Sequence, residues 1–294
     1  MDVSILSSVL NQLVRVLPLL LVALILLWVA MLVLRLSLPL DFKLQLSQKG
    51  NPAYGVLCAG FLFGAALAIS GSFFGRWEDS SLLASGKTLI EGCLSIFLIR
   101  IGIWINDRTI LSGFCISKEI SEDRNLGVGL VVAGSAIACG LIINGSLIGY
   151  SAGFWLGIRD IILFWILGQA SLIVGSRVFR GLKQFDVHRL LEYDGNVAVG
   201  LSFGAFLIGV GIIVRGALIG SGLISVSNEI LRMLILSTMG VGILAVLHAS
   251  IGRCMLGGVN LVEEVEMNHN TAVGSVVAAV TIGVALLIAE LFKR

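Results

Sequence analysis

The sequence predicts an all-α membrane protein: eight transmembrane helices, arranged as four parallel-repeat two-helix hairpins. Three observations carry that prediction. Long apolar runs recur along the whole of the 294 residues. Hydrophobic residues make up 57% of the chain and charged residues only 13%, too few charges to coat a soluble domain of this size. A short pattern, Asn-x-small-x-Gly, returns four times at nearly constant spacing, which is the mark of duplication.

The apolar runs fall at about 13–36, 52–74, 89–106, 126–148, 157–176, 197–219, 231–252 and 271–292. Each is close to the roughly 20 residues a helix needs to cross the hydrocarbon. The first has Asp2 and no basic residue ahead of its apolar stretch, so it reads as a membrane span and not as a cleavable signal. The second, fourth, sixth and eighth runs open on Asn51-Pro-Ala-Tyr-Gly55, Asn125-Leu-Gly-Val-Gly129, Asn196-Val-Ala-Val-Gly200 and Asn270-Thr-Ala-Val-Gly274. The asparagines stand 74, 71 and 74 positions apart. Asn is a good N-cap, because its side-chain oxygen accepts from an unpaired first-turn N–H. Pro52 at the first helical position gives up an N–H that has no intrahelical partner anyway.

Counted from each Asn, small residues stay in register. They are Gly60, Gly134, Ala205 and Ala279 at +9, and Gly64, Ala138, Gly209 and Gly283 at +13. Gly71, Gly145 and Gly216 follow at +20, then Gly75, Gly149 and Gly220 at +24. These offsets share one helical face, a smooth stripe where another backbone can approach. Gly60, Gly64, Gly134, Gly200, Gly204 and Gly209 are therefore expected to face other helices. The fourth copy departs at its end, where Glu290 and Arg294 replace glycines.

Charged segments precede the caps at 42–50, 114–124, 185–195 and 259–269, led by Phe42, Phe114, Phe185 and Val259. Their alternation of apolar and charged residues suits amphipathic pieces lying along the headgroups. Two spans per unit make all four units point the same way, a parallel repeat with the four Asn caps on one side. Linkers on that side hold eleven Lys or Arg against eight opposite, which favours the Asn side as cytoplasmic and both termini as extracytoplasmic.

Ionisable groups inside spans are costly and mark a functional site or an internal pair by default. Glu91, Asp160 and Arg215 are such groups. At 1.5 Å per residue, Arg215 lies about 28 Å and Glu91 about 24 Å from the Asn side, with Asp160 at a similar level. Ser70 and Asn144 share the +19 position of Arg215, so Ser70, Glu91, Asn144, Asp160 and Arg215 are expected to form one polar layer, with Glu91 paired to Arg215. Arg100, only about 12 Å from the Asn side, is expected to snorkel that way.

Other chemistry finds little purchase. Cys58, Cys93, Cys115, Cys139 and Cys254 form no CxxC pair, so neither a disulfide framework nor a zinc site is expected. Glu266 with His269, and His188 with Glu192, lie in charged linkers rather than converging in a bundle, which argues against a metal. His248 has no visible second axial ligand for haem. There is no Walker loop, no GxSxG and no TVGYG filter, so no enzyme, catalytic residue or cofactor is expected. The net charge of +2 and the lack of a basic stretch with aromatics exclude nucleic acid. Membrane lipids are the expected partners, with room for a homo-oligomer; no protein partner can be named.

The Asn motifs resemble those of the YjfL-type bacterial inner-membrane proteins, a family of unknown function. Asn268-His-Asn270-Thr-Ala-Val-Gly274 is most similar to the family's Asn-Thr-Ala-Ala form, and Asn196-Val-Ala-Val-Gly200 is next. The resemblance covers the chain as two tandem four-span domains, 1–150 and 151–294, and implies a multi-pass inner-membrane location but no reaction. It departs from the family pattern in having four hairpins instead of two.

Two classes of function remain. One is conduction by a channel or transporter-like pore, with four equivalent hairpins around an axis and a central path. The other is a non-conducting scaffold that binds lipids or a partner through its linkers. Intramembrane Glu and Arg favour the first.

Overall fold

The computed structural model describes residues 3–38, 41–74, 80–113, 115–148, 153–184, 186–219 and 225–293. Asp2, Gly75, Phe114, Gly149, Phe185, Gly220 and Arg294, all named above, lie outside them. Eight helices are long and apolar enough to cross a membrane, and the described residues hold no strand.

Four outer helices open the hairpins: α1 (Val3–Ser37), α3 (Ser81–Thr109), α6 (Phe154–Gly181) and α9 (Val226–Cys254). Four inner helices close them: α2 (Pro52–Gly71), α5 (Leu126–Ile148), α8 (Val197–Leu218) and α10 (Thr271–Phe292). Short helical turns precede the caps: a π-turn at Leu44–Gln48, α4 (Ile116–Ser121), α7 (Val187–Glu192) and a π-turn at Val262–Met267. The inner helices match the expected runs closely, because the Asn cap fixes where each starts. The outer helices run longer than their apolar windows. Residues such as Lys87, Asp107, Arg177 and Arg253 end the apolar run yet continue the helix toward the headgroups.

The inner helices form a row in the order α2, α5, α8, α10, each packed on the next. The outer helices form a second layer. α3 covers the seam between α2 and α5, α6 that between α5 and α8, and α9 that between α8 and α10, while α1 packs on α2 and α3. Across the other face of the row runs a half-buried aliphatic stripe, Leu126, Leu130, Ile137 and Leu141 on α5 and Val197, Leu201 and Ile208 on α8.

This arrangement corrects the expectation of four hairpins around an axis. Among the described residues, α2 and α10 are the two ends of the row and form no packed pair. Parallel repeats can close or run open according to the rotation between neighbours, and here they run open.

Glycine is what lets the row form. A Cβ on Gly64 would lie 2.5 Å from the carbonyl oxygen of Ala136, and one on Gly134 would lie 2.5 Å from that of Gly204. Gly60 meets Ala133, Gly204 meets Leu130, and Gly209 meets Leu244 and Ala285. All of these glycines face another helix, as small residues do where membrane helices approach closely.

Candidate functional site

The Asn-x-small-x-Gly motif does two jobs. Asn51 accepts from the N–H groups of Ala53 and Tyr54, Asn125 from Val128, Asn196 from Val199, and Asn270 from Ala272 and Val273. Each Asn is thus the cap of its inner helix. The small residue at +2 and the glycine at +4 are two halves of one contact between successive helices. Gly129 packs on Ala53, Gly200 on Gly127, and Gly274 on Ala198. Gly55, in the first repeat, has only the Leu46 side chain near it.

The residue before each cap adopts the left-handed conformation: Gly50, Arg124, Gly195 and His269 have φ of 56°, 52°, 55° and 53°. That turn aims each Asn N–H back at the carbonyl six residues earlier, on Gln45, Glu119, Leu190 and Glu264, at 2.8–2.9 Å. In three copies the same residue's side chain also accepts from the Asn amide: Gln45 (2.9 Å), Glu119 (2.9 Å) and Glu264 (2.7 Å).

The Asn amide reaches further, into the next repeat. Asn51 donates to the carbonyl of Ile120 (2.6 Å), Asn125 to Leu191 (2.5 Å) and Asn196 to Val265 (2.8 Å). All three acceptors stand five residues before the following cap, and their side chains are buried. One asparagine therefore starts a helix, closes its own turn and fastens the following hairpin. Because every one of these bonds lies at an inner-helix N-terminus, all four caps sit on one side of the membrane.

At the opposite end of the inner helices, polar side chains join neighbouring helices. Arg215 Nε donates to Asn144 Oδ1 at 2.6 Å, and Asn144 Nδ2 donates to Ser70 Oγ at 3.1 Å and to the Leu67 carbonyl at 2.8 Å. Ser70, Asn144 and Arg215 stand at +19 on α2, α5 and α8 and form a ladder across three helices. The expected Glu91–Arg215 pair is replaced by this ladder. Arg215 bonds to Asn144 and not to Glu91, whose helix α3 forms no packed pair with α8 among the described residues. The carboxylate of Asp160 is held by its neighbour Arg159 at 2.6 Å. Depth along the membrane normal can be counted from sequence, but the direction each side chain faces depends on which helices are neighbours.

A second polar cluster lies between the third and fourth repeats. Lys183 Nζ sits 3.5 Å from Glu266 Oε1, with both side chains almost wholly buried, and 5.0 Å from the centre of the Phe179 ring. Burial pushes the Lys183 ammonium below the ordinary lysine range, and the Glu266 carboxylate opposes that shift. Deeper in, His248 Nδ1 lies 2.9 Å from Thr281 Oγ1 and its Nε2 lies 3.4 Å from Ser202 Oγ, with Phe179 and Phe206 against the ring. Glu266 thus has a cation partner, whereas His269 holds the left-handed turn, so the two do different work. Ser202 and Thr281 went unnoticed in the sequence because neither recurs in register.

Basic residues also meet helix C-terminal carbonyls. Arg232 donates to the carbonyls of Ala217 and Phe292, at the ends of α8 and α10. Arg100 donates to Ser37 at the end of α1 (3.3 Å), beside a cavity of about 160 Å³ that Asp107 also lines. Positive charge is favourable at such ends. All five cysteines are free thiols, Cys58 and Cys139 buried.

The family described as Domain of Unknown Function (DUF350) matches the chain twice, over residues 8–147 and 153–292. No curated protein and no solved structure matches it.

Proposed function

For a chain that belongs to the DUF350 family, the family of the YjfL-type proteins, through two tandem matches, we propose the role of a non-conducting scaffold of the bacterial inner membrane. It would present its Asn-side linkers to lipid headgroups or a protein partner in the cytoplasm. One observation carries the reading: the polar contacts between repeats run sideways along the row, while the row itself is packed backbone against backbone. The Asn caps join hairpins at one level and the Ser70–Asn144–Arg215 ladder joins them at another. Between those levels the seams are glycine and alanine. The test is ion flux into liposomes holding the purified protein. A flux no greater than in empty liposomes is expected, and a protein-dependent current overturns the reading.

A second reading, conduction, is favoured by the cluster of Lys183, Glu266, His248, Ser202 and Thr281, which carries titratable groups inward between the third and fourth repeats. Proton uptake by the liposomes that is lost in His248→Ala would support it.

A further inference from the structure

We propose that the two ends of the helix row are complementary, and that the α10 end of one molecule docks the α2 end of a second copy of this chain. The inference names a partner for the scaffold reading, yet it stands on separate observations and its test is separate from the flux assay.

The interface in question already occurs three times inside the molecule. From the α2–α5 seam to the α8–α10 seam, the same register recurs. The +2 residue of one helix meets the +4 glycine of the next, as in Ala53 with Gly129, Gly127 with Gly200, and Ala198 with Gly274. The +9 residue meets +8, as in Gly60 with Ala133 and Gly134 with Gly204. The +13 residue meets +15, as in Ala138 with Gly211 and Gly209 with Ala285. The +20 residue meets +19, as in Gly71 with Asn144, Gly145 with Arg215, and Gly216 with Ala289.

Each half of that interface is left over at one end. On α10, Ala272 (+2) and Ala279 (+9) are exposed, and a Cβ on Gly283 (+13) would meet nothing within 4 Å. On α2, Ala59 (+8) is exposed, and Gly55 (+4) and Ala66 (+15) are only half-buried. The register therefore sets Ala272 against Gly55, Ala279 against Ala59, Gly283 against Ala66, and Glu290 against Ser70 of the second copy. Glu290, paired with Lys293 in its own chain, would extend the polar ladder by accepting from the Ser70 hydroxyl in place of the Leu67 carbonyl.

Two further features end at the same places. Asn51, Asn125 and Asn196 each donate to a carbonyl of the following repeat, whereas among the described residues the Asn270 amide is held by Glu264 of its own repeat. The matching carbonyl position in the first repeat is Leu46. The helices α2, α5 and α8 are also each covered by the outer helix of the next repeat; among the described residues α10 packs on α8 and α9 alone of the long helices, and α1 of a second copy would supply the matching cover. A head-to-tail contact of this kind leaves one free end on each molecule, so it either closes into a ring or runs on as a row.

The experiment uses two full-length chains, each with its native cysteines replaced and each with a different tag. One carries Ala59→Cys and the other Ala279→Cys; they are co-expressed and oxidised in native membranes. A disulfide-linked species carrying both tags is expected, with no linked species when either chain is expressed alone. Linked dimers of Ala59→Cys alone, or of Ala279→Cys alone, would mean a two-fold contact and overturn the proposal. So would the absence of any species with both tags from chains that insert at wild-type levels. As a second readout, Ala279→Leu should leave the detergent melting temperature unchanged and abolish the oligomer seen by mass in native-lipid nanodiscs. An oligomer that persists there overturns the proposal as well.

Discussion

Asn196, the cap of α8, donates its side-chain amide to the backbone carbonyl of Val265 at 2.8 Å, so the residue that starts one hairpin's inner helix also holds the next hairpin in place. Asn196→Ala removes the cap, at about 1 kcal/mol, and leaves a buried carbonyl unsatisfied, at about 1–3 kcal/mol more. Asn270→Ala removes a cap whose amide bonds within its own repeat, to Glu264, and should cost only about 1 kcal/mol. Thermal unfolding in detergent checks the order. Equal losses would mean that the bond to Val265 adds nothing. Asn196→Asp keeps the capping oxygen and should fall between wild type and Asn196→Ala.

The left-handed turn before each cap gives a prediction of opposite sign. His269 pays a steric penalty at φ 53° that Gly50 and Gly195 avoid. His269→Gly should therefore stabilise the protein by about 1 kcal/mol, and Gly195→Ala should destabilise it by a similar amount. A His269→Gly variant that melts below wild type would show that the imidazole does something the turn geometry does not require.

The buried Lys183–Glu266 pair bridges the third and fourth repeats. Lys183→Met removes the cation opposite the buried Glu266 carboxylate and should cost about 3–5 kcal/mol. Lys183→Met with Glu266→Leu replaces the pair by apolar groups and should recover most of that loss. If the double variant were as unstable as the single one, the pair would be contributing something beyond mutual neutralisation.

Asn144 and Arg215 should couple. Asn144→Leu and Arg215→Leu each break the 2.6 Å bond, and a double-mutant cycle should return an interaction of about 0.5–3 kcal/mol. Glu91→Gln and Arg215→Gln, on helices that form no packed pair among the described residues, should add without interaction. Coupling in the Glu91 cycle and none in the Asn144 cycle would reverse the assignment of the ladder.

These contrasts show what the sequence could carry. The caps were legible because Asn51, Asn125, Asn196 and Asn270 obey a local rule and recur in register. The shared level of Ser70, Asn144 and Arg215 was legible because all three stand at +19 and helical rise is constant. The partner of Arg215 was not, since counting sets Asn144 and Glu91 at comparable depths and only the order of helices in the row distinguishes them. The open row was hidden for a related reason: spacing shows that units repeat and share an orientation, while the rotation from one unit to the next lies in side-chain packing. The pairing of the +2 and +4 positions was in plain view as a motif, yet half of its meaning belongs to the contact between two repeats. His248, Ser202 and Thr281 come from three different helices and occur once each, so no periodicity could join them.

The last prediction separates a filled seam from an open one using the same substitution. Gly134 and Gly283 sit at +9 and +13 of equivalent helices, but their surroundings differ completely. A Cβ on Gly134 would lie 2.5 Å from the Gly204 carbonyl oxygen, so a leucine there must push α5 and α8 apart. A Cβ on Gly283 would meet no other described atom within 4 Å. Overpacking a tight contact costs about 1–3 kcal/mol, and more where backbone is the obstacle. Gly134→Leu should therefore lower the melting temperature of the detergent-solubilised monomer markedly, and Gly283→Leu should leave it within error of wild type. Matched losses would mean that the α10 face is already occupied within one molecule. Matched tolerance would mean that the inner helices can separate at little cost, and the glycine seams would then no longer explain why the row holds together.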